Sequence, residues 1–345
     1  MPAPAAAAER FLDSTAVIRV LVLGGTGFVG PFVVRQLVER GHDVTLFHRG
    51  HHEPPLTEGA RHVHDEFARL PEHVSDLARR EPDVVIDVSP GRSKGGHGVL
   101  HFAGIARRGV VLTSMDVYRA MSVLWGVEGA GPPQPMPVTE ESELRMQPSP
   151  DLTPDVDFDN LAVEQAVATA GLPITVLRCP VIYGPLDTQR RLRPYVRRMA
   201  DARPAIVLDS RLARLRMSRG YVENVAQAVV AAASDDRAAG RTYNVGDPDA
   251  LSEAEWVRAI GDAFDWHGEV VVADPSALPA ELHVPLPAQD LFGDTSRVRR
   301  ELGYVESVSR SEGLRRAIEW ERAQQHDEPP PDYAAEDAAL RDLVR

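Results

Sequence analysis

The sequence predicts an α/β fold, a doubly wound parallel sheet with helices on both faces. Three observations carry that expectation. Short apolar strand patterns alternate with helix-length amphipathic segments through the first half of the 345-residue chain. The first strand runs straight into Gly24-Gly-Thr-Gly-Phe-Val-Gly30, and a helical pattern begins at once. A second strand, Asp43-Val-Thr-Leu-Phe-His48, closes the unit. Right-handed crossovers in such a sheet leave ligands at the carboxyl ends of the strands.

The elements follow in order. Val17 to Leu23 reads as a strand, Phe28 to Arg40 as a helix, and Asp43 to His48 as a strand. A short strand around Arg61 to His64 comes next, then a helix near Glu72 to Arg80. Asp83-Val-Val-Ile-Asp-Val88 is a continuous apolar run of the kind a buried parallel strand shows. His97 to Arg108 reads helical, and Gly109 to Thr113 is the fifth strand. Between Gly126 and Asp155 the pattern breaks, with prolines at 132, 133, 135, 137, 148, 150 and 154. Such a stretch is neither a helix nor a central strand. Regular structure resumes with a helix from Phe158 to Ala170 and a strand from Ile174 to Arg178. A helix begins near Gly220, and Thr242 to Gly246 is a strand ending in a turn. The last segment is acidic, with a short amphipathic helix near Ala334 to Val344. Residues 1–16 begin Ala/Pro-rich, lack the basic start and apolar stretch of a signal peptide, and are expected to be a disordered tail.

Composition narrows the functions. No apolar run reaches the ~20 residues of a membrane span. Cys179 is the only cysteine, so no internal disulfide forms, which fits a reducing cytoplasm. A net charge of −13 argues against nucleic acid as a partner. Arg190, Arg191, Arg193, Arg197 and Arg198 cluster locally and read as a solvated helix face. Lys94 is the only lysine; every other basic residue is arginine.

The glycine turn has a physical use. Glycines permit positive φ and close backbone approach. The helix N-terminus that follows offers free N–H groups to a pyrophosphate. Gly24, Thr26, Gly27, Phe28, Val29 and Gly30 are therefore candidate cofactor-binding residues. The second strand ends Phe47-His48-Arg49-Gly50, with no carboxylate before Glu53. An acid there would bind the ribose hydroxyls of NAD. An arginine matches the 2′-phosphate of NADP. His48 and Arg49 thus favour NADP over NAD. Histidines 42, 48, 51, 52, 62 and 64 fall close together, but their spacing is loose and no Cys or His-Glu-x-x-His accompanies them. No metal site is expected on that basis.

Further segments point to a family. Thr113-Ser-Met-Asp-Val-Tyr118 closes the fifth strand, and Arg178-Cys-Pro-Val-Ile-Tyr-Gly-Pro185 follows the strand at Ile174. Then come Arg219-Gly-Tyr-Val-Glu-Asn-Val-Ala226, Tyr243-Asn-Val-Gly246 and Asp294-Thr-Ser-Arg-Val-Arg-Arg-Glu-Leu-Gly-Tyr304. With the glycine turn, and in this order, they resemble the extended short-chain dehydrogenase/reductase superfamily, NAD-dependent epimerase/dehydratase type, over about residues 17–322. The resemblance implies a Rossmann domain, mainly residues 17–180, and a smaller C-terminal substrate domain, mainly 181–322, with a strand near 242–246 returning to the sheet and an acidic tail from 323 to 345. It implies a cofactor contact at Asp65 after the third strand. Ser89 and Cys179, which follow or end later strands, complete the cofactor set; the Cys179 side chain itself reads as a small buried group. Dimerisation through His97 to Arg108 and Phe158 to Ala170 is also implied.

One departure matters. The family pattern has a Tyr-x-x-x-Lys pair, in which Tyr moves a proton and Lys holds the nicotinamide ribose and lowers the Tyr pKa. Aligning Glu164 with the family's acidic residue puts Asn160 at the Lys place and Val156 at the Tyr place. The remaining catalytic candidates are Ser114, Asp116, Asn160 and, further out, Asp159. Tyr118 and Tyr183 read as packing residues, and His97 as a bland member of a glycine-rich loop. Val181 stands where sugar-nucleotide epimerases often carry Asn. The expected function is an NADP-dependent oxidoreductase or epimerase/dehydratase-like enzyme on a small polar substrate with a non-standard proton donor. The alternative is a non-catalytic NADP-binding sensor or scaffold; an RNA-binding relative is disfavoured by the charge.

Overall fold

The computed structural model describes residues 17–88, 98–146, 159–285, 288–324 and 331–343. The first sixteen residues, and the expectations placed on Ser89, Lys94, His97, Val156 and Phe158, lie outside these. The strands are β1 (Arg19–Leu23), β2 (Asp43–His48), β3 (Arg61–His64), β4 (Val84–Asp87), β5 (Arg108–Ser114), β6 (Ile174–Cys179), β7 (Val181–Tyr183), β8 (Ala205–Asp209), β9 (Arg219–Tyr221), β10 (Thr242–Asn244) and β11 (Glu269–Ala273). The helices are α1 (Gly30–Glu39), α2 (Leu70–Ala78), α3 (Arg119–Leu124), α4 (Asn160–Val167), α5 (Arg193–Ala200), α6 (Ser210–Arg214), α7 (Val222–Ser234), α8 (Glu253–Phe264), α9 (Ser296–Leu302), α10 (Arg310–Ala323) and α11 (Ala334–Leu343).

Seven strands form one sheet in the order β10-β6-β5-β4-β1-β2-β3, and every neighbouring pair is parallel. The strand order reverses between β1 and β4, which opens a crevice at their carboxyl ends. Alternate side chains of each strand feed opposite faces. Val20, Val22, Val84, Ile86, Val110 and Leu177 pack with α1 and α7 through Val33, Leu37, Val225 and Val229. Leu21, Leu23, Val85, Val111 and Val176 pack on the other face with Leu70, Leu77, Phe102 and Val163. Burial on both sides explains the unbroken Val/Ile/Leu runs.

The C-terminal part adds two small parallel pairs, β8 with β11 and β7 with β9. At three residues each, β7 and β9 are too short to stand out in the sequence. Three expectations change. Residues 98–102 form a 3₁₀ turn where a helix to Arg108 was expected; Gly104, at φ +79°, ends the turn, and β5 already begins at Arg108. The helix expected over 158–170 is α4, eight residues long, capped by the Asp159 carboxylate, which accepts the Leu161 N–H at 2.8 Å. Of the two helices named for a dimer, only α4 is present among the described residues. The acidic C-terminal segment is docked from residue 331 onward. Glu336 is buried against Arg198 (3.0 Å), Tyr333 Oη donates to Asp201 (2.6 Å), and Ala339 is buried.

Candidate active site

The turn after β1 divides its work among four glycines. Gly24 sits at φ +83°, which favours a residue without Cβ, and its N–H donates to Phe47 O at 3.0 Å. A Cβ on Gly30 would lie 2.6 Å from the Gly25 backbone, and one on Gly25 would lie 2.6 Å from Leu46. These two let helix, turn and strand pack closely. A Cβ on Gly27 would meet nothing within 4 Å, so its face is open. The first turn of α1 holds no acidic residue, and its N-cap, Val29, has no side-chain hydrogen bond. Pro31 has no N–H and Phe32 N–H donates to Val29 O at 3.2 Å, so of the first three helical positions Gly30 has the N–H left for an anion.

A cleft of about 300 Å³ opens over this turn. Gly24, Thr26, Gly27, Phe28, Val29, Gly30, His48 and Arg49 all line it, as the sequence suggested for a cofactor. Phe67 and Thr188 also line it and were missed. Phe67 is a hydrophobic residue just past β3, a weak signal. Thr188 comes from the chain after β7, far off in sequence. Asp65 does not line the cleft among the described residues. Its carboxylate accepts from His73 Nε2 at 2.8 Å and from the Glu66 N–H, which hold it below the usual carboxylate range. Cys179 is likewise a core residue and not a cleft residue. It is 4% exposed, and burial pushes its thiol up to about 12.

His48 is buried at the end of β2. Its Nδ1 accepts the Gly50 N–H at 3.1 Å and its Nε2 faces His62 Nδ1 at 2.8 Å. Burial first, then the neighbouring His62 and His64, lower it to about 4, so the ring is neutral.

The second part of the site sits at the carboxyl end of β5. Ser114 Oγ accepts the Asp116 N–H at 3.2 Å and caps the 3₁₀ turn Met115–Val117. Asp116 Oδ2 accepts from Asn160 Nδ2 at 2.8 Å. Asp116 Oδ1 is buried with no hydrogen-bond partner among the described residues. Burial dominates and raises this carboxyl to about 6, against the opposing pull of Asn160 and the Arg145 charge.

Asp159 is placed differently from the catalytic role suggested for it. The Arg145 guanidinium, fully buried, binds both its oxygens, and the carboxylate also caps α4. Arg145 Nε donates in turn to the Asp116 carbonyl at 2.9 Å. Asp159 therefore holds Arg145 and α4 beneath Asp116. Tyr118 belongs to a separate buried network: its hydroxyl donates to Asn244 Oδ1 at 2.6 Å and accepts from Arg178 at 3.0 Å. Arg178 is paired with Glu164 at 2.7 Å, and Glu164 accepts from Thr113 at 2.9 Å. Tyr183 packs on Trp256 and Tyr221. Tyr183 is thus a packing residue, while Tyr118 is held by hydrogen bonds as well as by burial.

A glycine turn open at Gly27, an uncapped helix and a crevice at the strand reversal fit a dinucleotide. The chain matches the NAD dependent epimerase/dehydratase family over residues 20–115 and 158–246. It belongs to that family. It is 29% identical to 2′-dehydrokanamycin reductase of Streptomyces kanamyceticus, over 81% of this chain and 75% of that one. It is 25% identical to dTDP-glucose 4,6-dehydratase 1 of Escherichia coli K12, over 88% and 92%. The chloroplast stem-loop binding protein of 41 kDa b from Arabidopsis thaliana is 22% identical, over 88% and 79%. Among solved structures, UDP-glucose 4-epimerase of Thermotoga maritima superposes with a TM-score of 0.64 at 17% identity, covering 88% of this chain and 99% of that one. In this NAD dependent epimerase/dehydratase member the sheet is Rossmann-like. Among the described residues no helix is long and apolar enough to cross a membrane.

Proposed function

We propose that the protein is an NADP-dependent reductase of a carbonyl group on a small polyhydroxylated molecule, with Asp116 as proton donor. The observation that carries this is the Asp116 carboxyl, raised to about 6 at the end of β5 with one oxygen orphaned. The name of the Streptomyces relative, a reductase, supports the direction of the reaction.

Two features support NADP. Arg49 is exposed on the cleft wall, and no carboxylate lines the cleft among the described residues. Glu53, the nearest candidate, lies against His64 instead, at 2.6 Å. Arg49 is then the partner of a 2′-phosphate, and the α1 N-terminus and Gly27 hold the pyrophosphate. When bound, the reduced nicotinamide supplies the hydride that reaches the carbonyl carbon.

The chain's own residues handle the oxygen. Ser114 Oγ accepts from the Asp116 N–H, which leaves its own proton to donate to the substrate oxygen. Asn160 donates to Asp116 Oδ2, so Oδ2 is an acceptor and the carboxyl proton resides on Oδ1. Oδ1 is the oxygen without a partner. As the carbonyl becomes an alkoxide, that proton passes to it and the alcohol forms. The resulting carboxylate keeps the Asn160 hydrogen bond and the nearby Arg145 charge, and solvent reprotonates it. Asn160, standing at the Lys place, orients the acid through this hydrogen bond. The test is NADPH oxidation with a panel of keto-sugars and keto-aminocyclitols. The reading requires turnover that Asp116→Asn removes. NADPH binding without turnover of any carbonyl would favour a sensor.

A further inference from the structure

A second cluster of side chains stands beside the cleft, on the outer strands of the sheet. The β2–β3 register pairs His48 with His64 and Leu46 with His62. His62 and His64 are two residues apart on one strand and therefore share a face. Glu53 returns to the same face from the exposed loop that begins at Gly50, where φ is +75°. The four donor atoms lie within 4.8 Å of one another. Glu53 Oε1 is 2.6 Å from His64 Nε2, 3.5 Å from His62 Nδ1 and 3.8 Å from His48 Nε2.

We propose that His48, His62, His64 and Glu53 bind one divalent transition-metal ion of the zinc class. Metal–nitrogen and metal–oxygen bonds of about 2.0–2.1 Å in a tetrahedron put donor atoms roughly 3.3 Å apart. The distances within this cluster straddle that value. Three imidazoles and one carboxylate favour zinc, cobalt, nickel or copper ions over magnesium or calcium, which prefer all-oxygen sets. The site also has a closed and an open side. His48 is buried and forms its floor, while His64 and Glu53 are exposed and leave a way in.

Two hydrogen bonds rearrange on binding. In the metal-free arrangement Gly50 N–H donates to His48 Nδ1, so His48 carries its proton on Nε2 and donates it to His62 Nδ1. Coordination through His48 Nε2 moves that proton to Nδ1 and turns the Gly50 N–H outward, toward solvent. His62, His64 and Glu53 need only shed hydrogen bonds made within the cluster. The ion sits one residue from Arg49, at the edge of the cleft, but the site stands on its own donors and does not depend on the reductase reading.

The test uses the full-length protein, stripped with chelator and titrated with Co²⁺ and then Zn²⁺. The expected result is one equivalent of Co²⁺ with the intense visible absorption of a tetrahedral site, displaced by Zn²⁺. His64→Ala and Glu53→Gln should each weaken binding about tenfold or more. His267→Ala, an exposed histidine elsewhere, should leave it unchanged. Circular dichroism checks that each variant is folded, and the paired Glu53→Gln keeps the shape of the site if an alanine variant is not. Absence of saturable binding by the unaltered protein would overturn the proposal. So would one-equivalent binding that His64→Ala and Glu53→Gln leave intact.

Discussion

The cleft over the glycine turn and the carboxyl end of β5 lie on one sheet but are built from different material. The cleft is mostly backbone: Gly24 for its φ, Gly25 and Gly30 for close packing, Gly27 for open space, and the bare N-terminus of α1. The β5 end is mostly side chains: Ser114, Asp116 and Asn160, supported by Arg145 and Asp159. A backbone device admits few residue types and keeps its form. A proton donor needs only a titratable group at the right place, so the residue that supplies it can change. On the proposed reading, that contrast is how a glycine-rich nucleotide turn can stand beside a proton donor other than the expected Tyr–Lys pair.

The sharpest way to break the comparison is Gly27→Val. A Cβ there meets no protein atom within 4 Å, so folding should be preserved, while the valine branch beyond it fills the space a pyrophosphate needs. NADPH binding, read by nucleotide fluorescence, should disappear with circular dichroism unchanged. Normal binding would make the turn purely structural. Next in size is Asp116→Asn, which should lower kcat by about 10²–10⁴ with little change in NADPH affinity. That split between the two ends of the site is what the comparison requires. Arg49→Ala should weaken NADPH by about 1.5–3 kcal/mol and leave NADH nearly unaffected, because the lost contact is to the 2′-phosphate alone. Equal affinities for both cofactors in the unaltered protein would sink the NADP assignment.

The smallest effect is on stability. The Asp116 carboxyl sits at about 6 when folded, above its ordinary 3.8. The folded state therefore holds this proton more tightly, and the group favours folding most at low pH. That contribution is lost as pH rises from about 4 through 6. Asp116→Asn does not titrate, so it should be more stable than the unaltered protein at pH 7, by at most about 3 kcal/mol. The gain should vanish below pH 4. Paired denaturant melts at the two pH values measure it.

The legibility of the fold follows the same division. The bounds of β2 and β3 match those expected from the sequence to the residue, and β1, β4, β5 and β6 were all recognisable. A helix pattern near Ala334 was visible, but its docking through Glu336 was not, because Arg198 and Arg203 reach it from over a hundred residues away. The arginine cluster read as a solvated face is in fact largely paired, Arg190 with Glu321 and Arg191 with Asp187 among others. The short strands β7 and β9 carry too few residues to show a period. At the site, Asp116 and Asn160 were named from position, while the role of Asp159 was not, since only the fold brings Arg145 to it. The sequence shows histidines 48, 62 and 64 near one another but not their convergence: the β2–β3 pairing brings His48 to His62 and His64, and the loop after Gly50 brings Glu53.

The most direct measurement is the pH dependence of kcat/KM for carbonyl reduction under saturating NADPH. The account predicts a rate that is high below about pH 6 and falls tenfold per unit above it, as the Asp116 carboxyl loses the proton it must donate. Asp116→Asn should abolish that limb and leave a low, flat profile. A falling limb with the same midpoint in Asp116→Asn, or full turnover by that variant, would contradict the assignment of Asp116 as the proton donor.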